Sequence, residues 1–188
     1  MNRLEIYLVR HTRPNVRKGI CYGQTDLDLA DSFMTDRKLV DAKMPVNIDC
    51  IYTSPLQRSE KLARSLHENI VVDDRLKELD FGAWEMKPWD DIPKDEIMPW
   101  MDDFVNHKVP GGESFIDLKN RCESFITELS KKPYKKVVIV THAGPIRVFL
   151  GTFLEMQPKN FFRLTSGYGG VSRIDVGEQR VEVTYMNR

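Results

Sequence analysis

The stretch KKVVIVTH, residues 135–142, decides the fold class of this chain. Four β-branched apolar residues run without a break from Val137 to Val140, and the chain then turns polar at Thr141 and His142. A short, continuous apolar run of this kind is typical of a strand in a sheet that is covered on both faces. The stretch therefore predicts a layered α/β domain and not a sheet with one face in water.

The pattern on either side of this strand supports that interpretation. Pro55 begins a helix in which Ser54 is the N-cap and Gln57 completes a capping box. A helix follows residues 110–114, a Pro-containing helix begins at Gly144, and residues 171–186 alternate as a hairpin. Further strands are predicted at 4–9, 49–54 and 70–72. Because strands alternate with helices, we expect a three-layer α/β sandwich with a mostly parallel central sheet, a possible antiparallel edge and helices on both faces.

The length of 188 residues predicts a single domain, 1–188, with an insertion at about 84–112 near the active site. This segment contains three tryptophans and many acidic residues. Pro88, Pro93 and Pro99 exclude one continuous helix across 84–104, because proline removes a helical N–H and its ring clashes with the preceding turn. We expect short helical pieces and loops.

Composition narrows the possible functions. Lys plus Arg and Asp plus Glu both number 28, so the formal net charge is zero and neither a nucleic-acid nor a membrane partner is expected. Three cysteines without metal-site spacing favour a reducing compartment, and the N-terminus lacks a signal-peptide apolar region. The sequence thus predicts a soluble, cytoplasmic protein with no metal and no cofactor.

Basic and histidine side chains end three of the predicted strands. Arg10 and His11 follow the first strand, Arg58 follows Thr53-Ser54 into a helix, and His142 ends the strand at 135–142. Each alone has an ordinary explanation: a satisfied structural histidine or a surface arginine. Together they lie at the carboxyl ends of the strands, where α/β sheets bind ligands, and guanidinium groups beside a helix N-terminus suit phosphate.

Four motifs around these residues resemble the histidine phosphatase superfamily. They are LVRHT (8–12), TSPLQRSEKLA (53–63), KELDFGAWE (77–85) and VTHAGPIR (140–147), and they occur in the order found in that family. The stretches GICYGQTDLDL (19–29) and FGAWEMKPWDDIP (81–93) are closer to its α-ribazole phosphatases than to its glycolytic mutases. The resemblance implies the α/β fold, phosphomonoester hydrolysis and independence from metal ions.

The resemblance also implies roles for individual residues. His11 would attack phosphorus and form a phosphohistidine, while Arg10, Arg58 and His142 would bind the phosphate oxygens. Glu78 would protonate the leaving alkoxide and then activate water, with Asp80 and Glu85 as nearby rivals that only motif position disfavours. Glu78 would be ionised in the empty site, and the arriving dianion would offset the surrounding cations when an acid is needed.

Further substrate contacts are predicted with alternatives left open. Thr12 stands where the family usually has glycine, and its hydroxyl could donate to phosphate. Arg17 stands where many members have asparagine, and is either a further phosphate cation or an exposed side chain. Trp84 could stack on an aromatic leaving group or pack the insertion onto the body. Gly23 could serve as a contact or only supply backbone freedom. The full predicted substrate-binding set is Thr12, Arg17, Tyr22, Gly23, Thr25, Ala143 and Trp84.

The leading hypothesis is a phosphatase that hydrolyses α-ribazole 5′-phosphate in cobalamin nucleotide-loop assembly. A phosphoglycerate mutase or a broad-specificity sugar-phosphate phosphatase would use the same site. A non-catalytic module that binds phospho-ligands is disfavoured, because binding alone requires neither His11 nor Glu78. The expected partner is a small phosphomonoester.

Overall fold

The computed structural model describes residues 3–188, which contain one six-stranded mixed sheet. The strand order is β3-β2-β4-β1-β5-β6. Strands β3, β2, β4 and β1 pair in parallel, whereas β5 pairs antiparallel with both β1 and β6. The predicted fold class, a mostly parallel sheet with an antiparallel edge, is confirmed. The strands are β1 (Leu4–Arg10), β2 (Cys50–Thr53), β3 (Ile70–Val72), β4 (Lys136–Thr141), β5 (Val171–Val176) and β6 (Val181–Tyr185).

Both faces of the central strands are buried, which explains the unbroken apolar run in β4. Val137 and Ile139 join one hydrophobic cluster, whereas Val138 and Val140 join another. Because successive side chains of a strand point to opposite faces, a strand covered on both sides needs an apolar residue at every position.

Helices cover each face and complete three layers. The side chains of α1 (Phe33–Asp41) and α2 (Gln57–Leu66) pack with Val138 and Val140. Those of α4 (Phe115–Leu129) and α5 (Ala143–Phe153) pack with Val137 and Ile139 on the other face.

The predicted capping box of α2 is wrong. The helix begins at Gln57, not at Pro55, and Leu56 occupies the N-cap position without a side-chain cap. The Ser54 hydroxyl instead contacts the imidazole of His142, and the Gln57 amide hydrogen-bonds the backbone oxygen of Asp26. Ser54 thus accepts the Leu56 N–H in the turn before the helix and makes a tertiary contact, but it does not cap α2. In α4, by contrast, Ser114 and Asp117 do form a capping box.

The segment 84–104 folds as short pieces, as its prolines predict. It contains 3₁₀ turns at Gly82–Trp84 and Trp89–Asp91, then α3 (Lys94–Asp102), which carries Pro99 within it. A small apolar cluster of Cys21, Trp84, Ile92 and Val109 ties this segment to the loop that follows β1.

The chain ends in the predicted hairpin, β5 and β6, which forms the antiparallel edge of the sheet. None of the helices between residues 3 and 188 has the length and apolar character required to cross a membrane.

Candidate active site

Strand register brings the two predicted site histidines together. In the parallel pair β1–β4, Arg10 lies opposite Thr141, and the His11 N–H donates to the Thr141 oxygen at 3.0 Å. The residue that follows each of these two strands is a histidine, His11 after β1 and His142 after β4. The rings of His11 and His142 lie 5.0 Å apart, centroid to centroid, and are 1% and 0% exposed.

Hydrogen bonding selects one tautomer of His11. Its Nδ1 lies 2.7 Å from the backbone oxygen of Thr12, and because a carbonyl oxygen only accepts, Nδ1 must carry the hydrogen. Burial, followed by the Arg58 and Arg10 charges, holds the pKa of His11 well below its usual value. The neutral ring therefore keeps a lone pair on Nε2, which is the form that a nucleophile requires.

His142 has the opposite arrangement. Its Nε2 lies 2.8 Å from the Ser54 hydroxyl and 3.3 Å from the Ser59 hydroxyl, whereas Nδ1 has no partner. Burial and the Arg58 charge also hold the pKa of His142 well below its usual value. If a serine hydroxyl donates to Nε2, the hydrogen of the neutral ring resides on Nδ1, which is then a free donor.

Arg58 is a fully buried cation. Its guanidinium donates to the backbone oxygens of Gly23 at 2.5 Å and Thr25 at 2.8 Å, and Nε has no partner. No ion pair to Arg58 occurs within residues 3–188. A buried charge is costly without an anion, so this arrangement is suited to a ligand that supplies one.

Arg10 completes the basic group. Its Nη1 donates to the backbone oxygen of Ser166 at 2.5 Å, and its Nε is buried without a partner. The guanidinium carbon lies 4.0 Å from the centre of the Tyr168 ring, a cation–π contact.

Buried polar atoms without hydrogen-bond partners are concentrated around Arg10, His11, Arg58 and His142. Of six buried side-chain nitrogens and oxygens without a hydrogen bond among residues 3–188, four belong to the strand-end group: Arg10 Nε, Thr12 Oγ1, Arg58 Nε and His142 Nδ1. Buried polar groups are nearly always satisfied, so four such atoms together indicate a site that a ligand completes. The two arginine nitrogens are donors, and the Thr12 hydroxyl and a protonated His142 Nδ1 can donate too, which favours an anion. We call Arg10, His11, Thr12, Arg58 and His142 the phosphate site, after the ligand that the sequence predicts for them.

Glu78 is held beside the phosphate site by the N-terminus of α5. The Gly144 N–H donates to its two carboxylate oxygens at 3.0 and 3.2 Å, and the Leu79 N–H donates at 2.9 Å. A Cβ on Gly144 would lie 2.2 Å from Glu78 Oε1, so only glycine leaves room for this approach.

The two rival acids accept hydrogen bonds from loop backbone and not from the N-terminus of α5. Asp80 accepts the Gly82 N–H at 2.8 Å within its own turn. Glu85 accepts the backbone N–H groups of Gln24 at 2.7 Å and Thr25 at 2.5 Å, and also the Thr25 hydroxyl. Both carboxylates are thus occupied in holding loops.

The loop after β1 holds the Arg58 side chain in place. Gly23 is needed for space and not for backbone freedom, because a Cβ there would lie 1.9 Å from the Leu79 oxygen. Tyr22 lies with its ring 5.4 Å from the Arg58 guanidinium carbon, and its hydroxyl hydrogen-bonds that of Tyr168 at 2.6 Å.

Trp84 requires a correction. Its side chain is fully buried in the apolar cluster with Cys21, and its Nε1 donates to Glu96 at 2.6 Å. It therefore packs the 84–104 segment onto the body and presents no face to a substrate. Arg17 has an exposed side chain, and Ala143 is the buried first residue of α5. The substrate contacts assigned to Thr12, Arg17, Tyr22, Gly23, Thr25 and Ala143 stay predictions.

Sequence reasoning missed Tyr168, Ser54 and Ser59 as members of this site. Tyr168 lies in a glycine-rich loop, residues 166–170, just before β5. Because β5 runs antiparallel to β1, its amino end lies at the carboxyl edge of the parallel strands. That topology was the available signal for Tyr168, whereas nothing in the sequence distinguishes Ser54 from a helix cap.

Comparison with known proteins gives a family match over nearly the whole chain. The model described as "Histidine phosphatase superfamily (branch 1)" matches residues 6–188. This range contains every residue of the phosphate site.

The individual relatives share 30% or less of their sequence with this chain. A protein named "Probable phosphoglycerate mutase GpmB" from Enterobacter sp. (strain 638) is 30% identical, covering 93% of this chain and 86% of its own. "Phosphoserine phosphatase 1" from Hydrogenobacter thermophilus is 25% identical, covering 98% and 92%. The solved structure of the α-ribazole phosphatase from Shigella flexneri is similar in fold, with a TM-score of 0.89 and 23% identity over 98% of this chain and 96% of that one.

Proposed function

Because the chain belongs to the histidine phosphatase superfamily, it is a phosphomonoesterase, and we propose that it acts through phosphohistidine on α-ribazole 5′-phosphate. The observation that carries the mechanism is the state of His11: a neutral ring with its lone pair on Nε2, surrounded by donors that lack partners. The substrate assignment is supported by the 19–29 and 81–93 stretches of the sequence and by the fold likeness to an α-ribazole phosphatase.

Binding of the phosphate dianion is the first step. Arg10, Arg58 and the Nδ1 hydrogen of His142 donate to its oxygens, and the Thr12 hydroxyl is a further donor. Each charge-assisted hydrogen bond contributes about 1.5–3 kcal/mol. The dianion also supplies the counter-charge that the buried Arg58 lacks.

Transfer to the protein is the second step. His11 Nε2 forms a bond to phosphorus as the bond from phosphorus to the leaving oxygen breaks. The surrounding cations stabilise the negative charge of the phosphoryl oxygens in the transition state. The Glu78 carboxyl gives its proton to the leaving oxygen, so the alcohol departs neutral.

Hydrolysis of the phosphohistidine is the third step. The Glu78 carboxylate removes a proton from water, the water oxygen bonds to phosphorus, and the bond from phosphorus to Nε2 breaks. Inorganic phosphate leaves, His11 is neutral again and Glu78 is protonated for the next cycle. Atoms and protons balance over the two transfers.

Trapping of the intermediate tests the mechanism. Protein mixed with ³²P-labelled substrate and quenched in alkali should retain phosphate that acid releases, as expected for a phosphoramidate. His11→Ala should retain none. Label that survives acid treatment, or an equal amount of label on His11→Ala, would contradict a phosphohistidine at this residue.

A substrate panel tests the assignment to α-ribazole 5′-phosphate. The competing candidate is a small carboxylate-bearing phosphomonoester, which the names of the curated relatives suggest. We expect kcat/KM for α-ribazole 5′-phosphate to exceed the values for phosphoserine and 3-phosphoglycerate. A higher value for phosphoserine would reject the assignment, and interconversion of phosphoglycerates without phosphate release would indicate a mutase.

A further inference from the structure

In this structure two tyrosines cover the phosphate site. The Tyr168 ring lies 4.0 Å from the Arg10 guanidinium carbon and 5.6 Å from the His11 ring, and the Tyr22 ring lies 5.4 Å from the Arg58 guanidinium carbon. One hydrogen bond of 2.6 Å joins the two phenol hydroxyls. Each tyrosine therefore lies on one of the two arginines that bind phosphate.

The groups beneath this pair are closed to solvent. His11, Thr12, Arg58 and His142 are all 1% exposed or less, whereas Tyr168 is 43% exposed. A phosphate dianion needs to contact His11 and Arg10 directly. The Tyr168 ring lies next to both of these groups, in space that the dianion would have to share.

The backbone beneath Tyr168 is held firmly, so the side chain is the part that can move. The Gly169 N–H donates to the backbone oxygens of Arg10 and His11, both at 3.2 Å. Asn187 accepts the Gly167 N–H at 2.6 Å. Rotation about the Tyr168 side-chain bonds moves an exposed ring toward water, whereas displacement of the loop would break these contacts.

We propose that Tyr168 and Tyr22 form a gate over the phosphate site and that Tyr168 selects substrates by their leaving group. The gate opens when the bond between the hydroxyls breaks and the Tyr168 ring turns away from Arg10. The leaving group then lies against the tyrosine rings. This inference rests on the proposed function only in requiring that the protein binds phosphomonoesters.

The chemistry of the gate predicts its preference. A bare phosphate ion must separate the tyrosines and gains no contact with them in return. A phosphomonoester of a ring-bearing alcohol packs its ring against the displaced phenol, because aromatic faces favour offset or edge-on contact with other rings. The favoured substrate class is thus a ring-bearing phosphomonoester, such as a nucleoside 5′-phosphate, over one with a short acyclic leaving group.

Competitive inhibition by inorganic phosphate measures the gate itself. Tyr168→Phe keeps the ring and removes the bond between the hydroxyls, so the inhibition constant for phosphate should fall about 3- to 10-fold. Tyr22→Phe should give the same fall, and the double variant should give no more than either single one, because all three lose the same bond. An unchanged or higher inhibition constant in both single variants would overturn the gate.

The ratio of kcat/KM for p-nitrophenyl phosphate to that for ethyl phosphate measures selection. Comparing this ratio between variants cancels the difference in leaving-group reactivity. Tyr168→Ala should lower it about 10-fold, whereas Tyr168→Phe should retain it. An unchanged ratio in Tyr168→Ala would overturn the role of Tyr168 in selection.

Controls separate the gate from folding and from the proposed function. Tyr134→Phe changes a tyrosine that precedes β4, at the opposite end of the sheet, and should alter neither measurement. If α-ribazole 5′-phosphate is a poor substrate but the phosphate constants shift as expected, the gate stands and the substrate assignment fails. If no ester is hydrolysed, calorimetric titration of the same variants with phosphate still tests the gate.

Discussion

The phosphate site and the acid loop, residues 78–85, are adjacent and rich in charge, yet they treat their polar groups in opposite ways. The phosphate site leaves side-chain nitrogens of Arg10, Arg58 and His142 without partners, whereas Asp80 and Glu85 of the acid loop accept hydrogen bonds from backbone N–H groups. Buried polar groups without partners cost stability, and those with partners contribute to it. From this contrast we infer that the phosphate site is kept for binding, whereas Asp80 and Glu85 are kept for folding.

Glu78 and Glu85 show the same contrast inside one loop. Glu85 holds the backbone of Gln24 and Thr25, whose neighbouring carbonyls orient Arg58. The Glu78 carboxylate lies at the N-terminus of α5, where it accepts the N–H of Gly144, two residues after His142. Residue type does not distinguish these two carboxylates and only motif position favours Glu78, whereas their hydrogen-bond partners separate them clearly.

Replacing His11 should give the largest effect. His11→Ala removes the proposed nucleophile, and we expect kcat to fall by about 10⁴-fold or more. The unfolding free energy should change much less than the activation free energy. The reason is that the neutral His11 ring lies beside two cations without balancing their charge. Steady-state kinetics and urea unfolding measure the two effects. His107→Ala, at an exposed histidine, is the matched control, and an equal loss of activity in it would break the comparison.

The two glutamates of the acid loop should respond to the same substitution in opposite ways. Glu78→Gln should lower kcat about 10²- to 10⁴-fold because it removes the proposed proton carrier. The unfolding free energy should change little, because the one remaining oxygen can take the place of Oε1, which accepts both the Leu79 and the Gly144 N–H. Glu85→Gln should cost about 1–3 kcal/mol of stability, because one side-chain atom changes from acceptor to donor against backbone N–H groups. A larger kinetic loss in Glu85→Gln than in Glu78→Gln would reverse the assignment.

Gly144→Ala tests the support of Glu78. The added Cβ would lie 2.2 Å from the carboxylate oxygen and 2.9 Å from Leu118 Cδ2, so both side chains must shift. A misplacement of about 1 Å can cost up to about 100-fold in rate. We expect kcat to fall by that order while the protein stays folded, since alanine is a better helix former than glycine. Unchanged kcat with a lower melting temperature would show that Gly144 serves packing alone.

The pH dependence of stability should give the most gradual effect. The native pKa values of His11 and His142 lie below the ordinary value of about 6.5 that holds in the unfolded chain. Below that pH the unfolded chain binds protons that the native protein does not, so stability is lost as the pH falls. Above it, this contribution is fully present. Each histidine contributes a slope of at most about 1.4 kcal/mol per pH unit.

Urea unfolding between pH 7.5 and pH 5 measures this slope. His142→Gln should lose roughly half of the histidine contribution, whereas His107→Ala should keep the wild-type slope. Equal slopes in His142→Gln and the wild type would show that the buried ring does not titrate as proposed.

Much of the architecture could be predicted because it follows from local patterns. The apolar run at 137–140 predicts a strand buried on both faces, and the prolines of 84–104 predict a broken helix. His11 and His142 could be placed at one edge because parallel strands end there. The start of α2 could not be predicted, since Ser54 has the chemistry of a cap and its hydroxyl contacts a histidine 88 residues away.

Two aromatic residues, Trp84 and Tyr168, were the hardest to assign from the sequence. Trp84 and Tyr168 both lie in loops and both suit contact with a ring. Burial separates them: Trp84 packs on Cys21 and Ile92, whereas Tyr168 lies at the surface against Arg10. Side-chain type gives no information on which of two loops folds over the sheet edge.

By itself, the sequence determined the layers of the fold, the order of its strands along the chain and the basic and imidazole groups at the strand ends, because periodicity and strand direction are local properties of the chain. Only the tertiary structure decided which nitrogen of His11 carries hydrogen, which glutamate adjoins α5 and which aromatic ring covers the arginines. These depend on distances between segments far apart in the chain, and a difference of a few ångströms there determines whether a polar atom meets a partner or is left for a ligand.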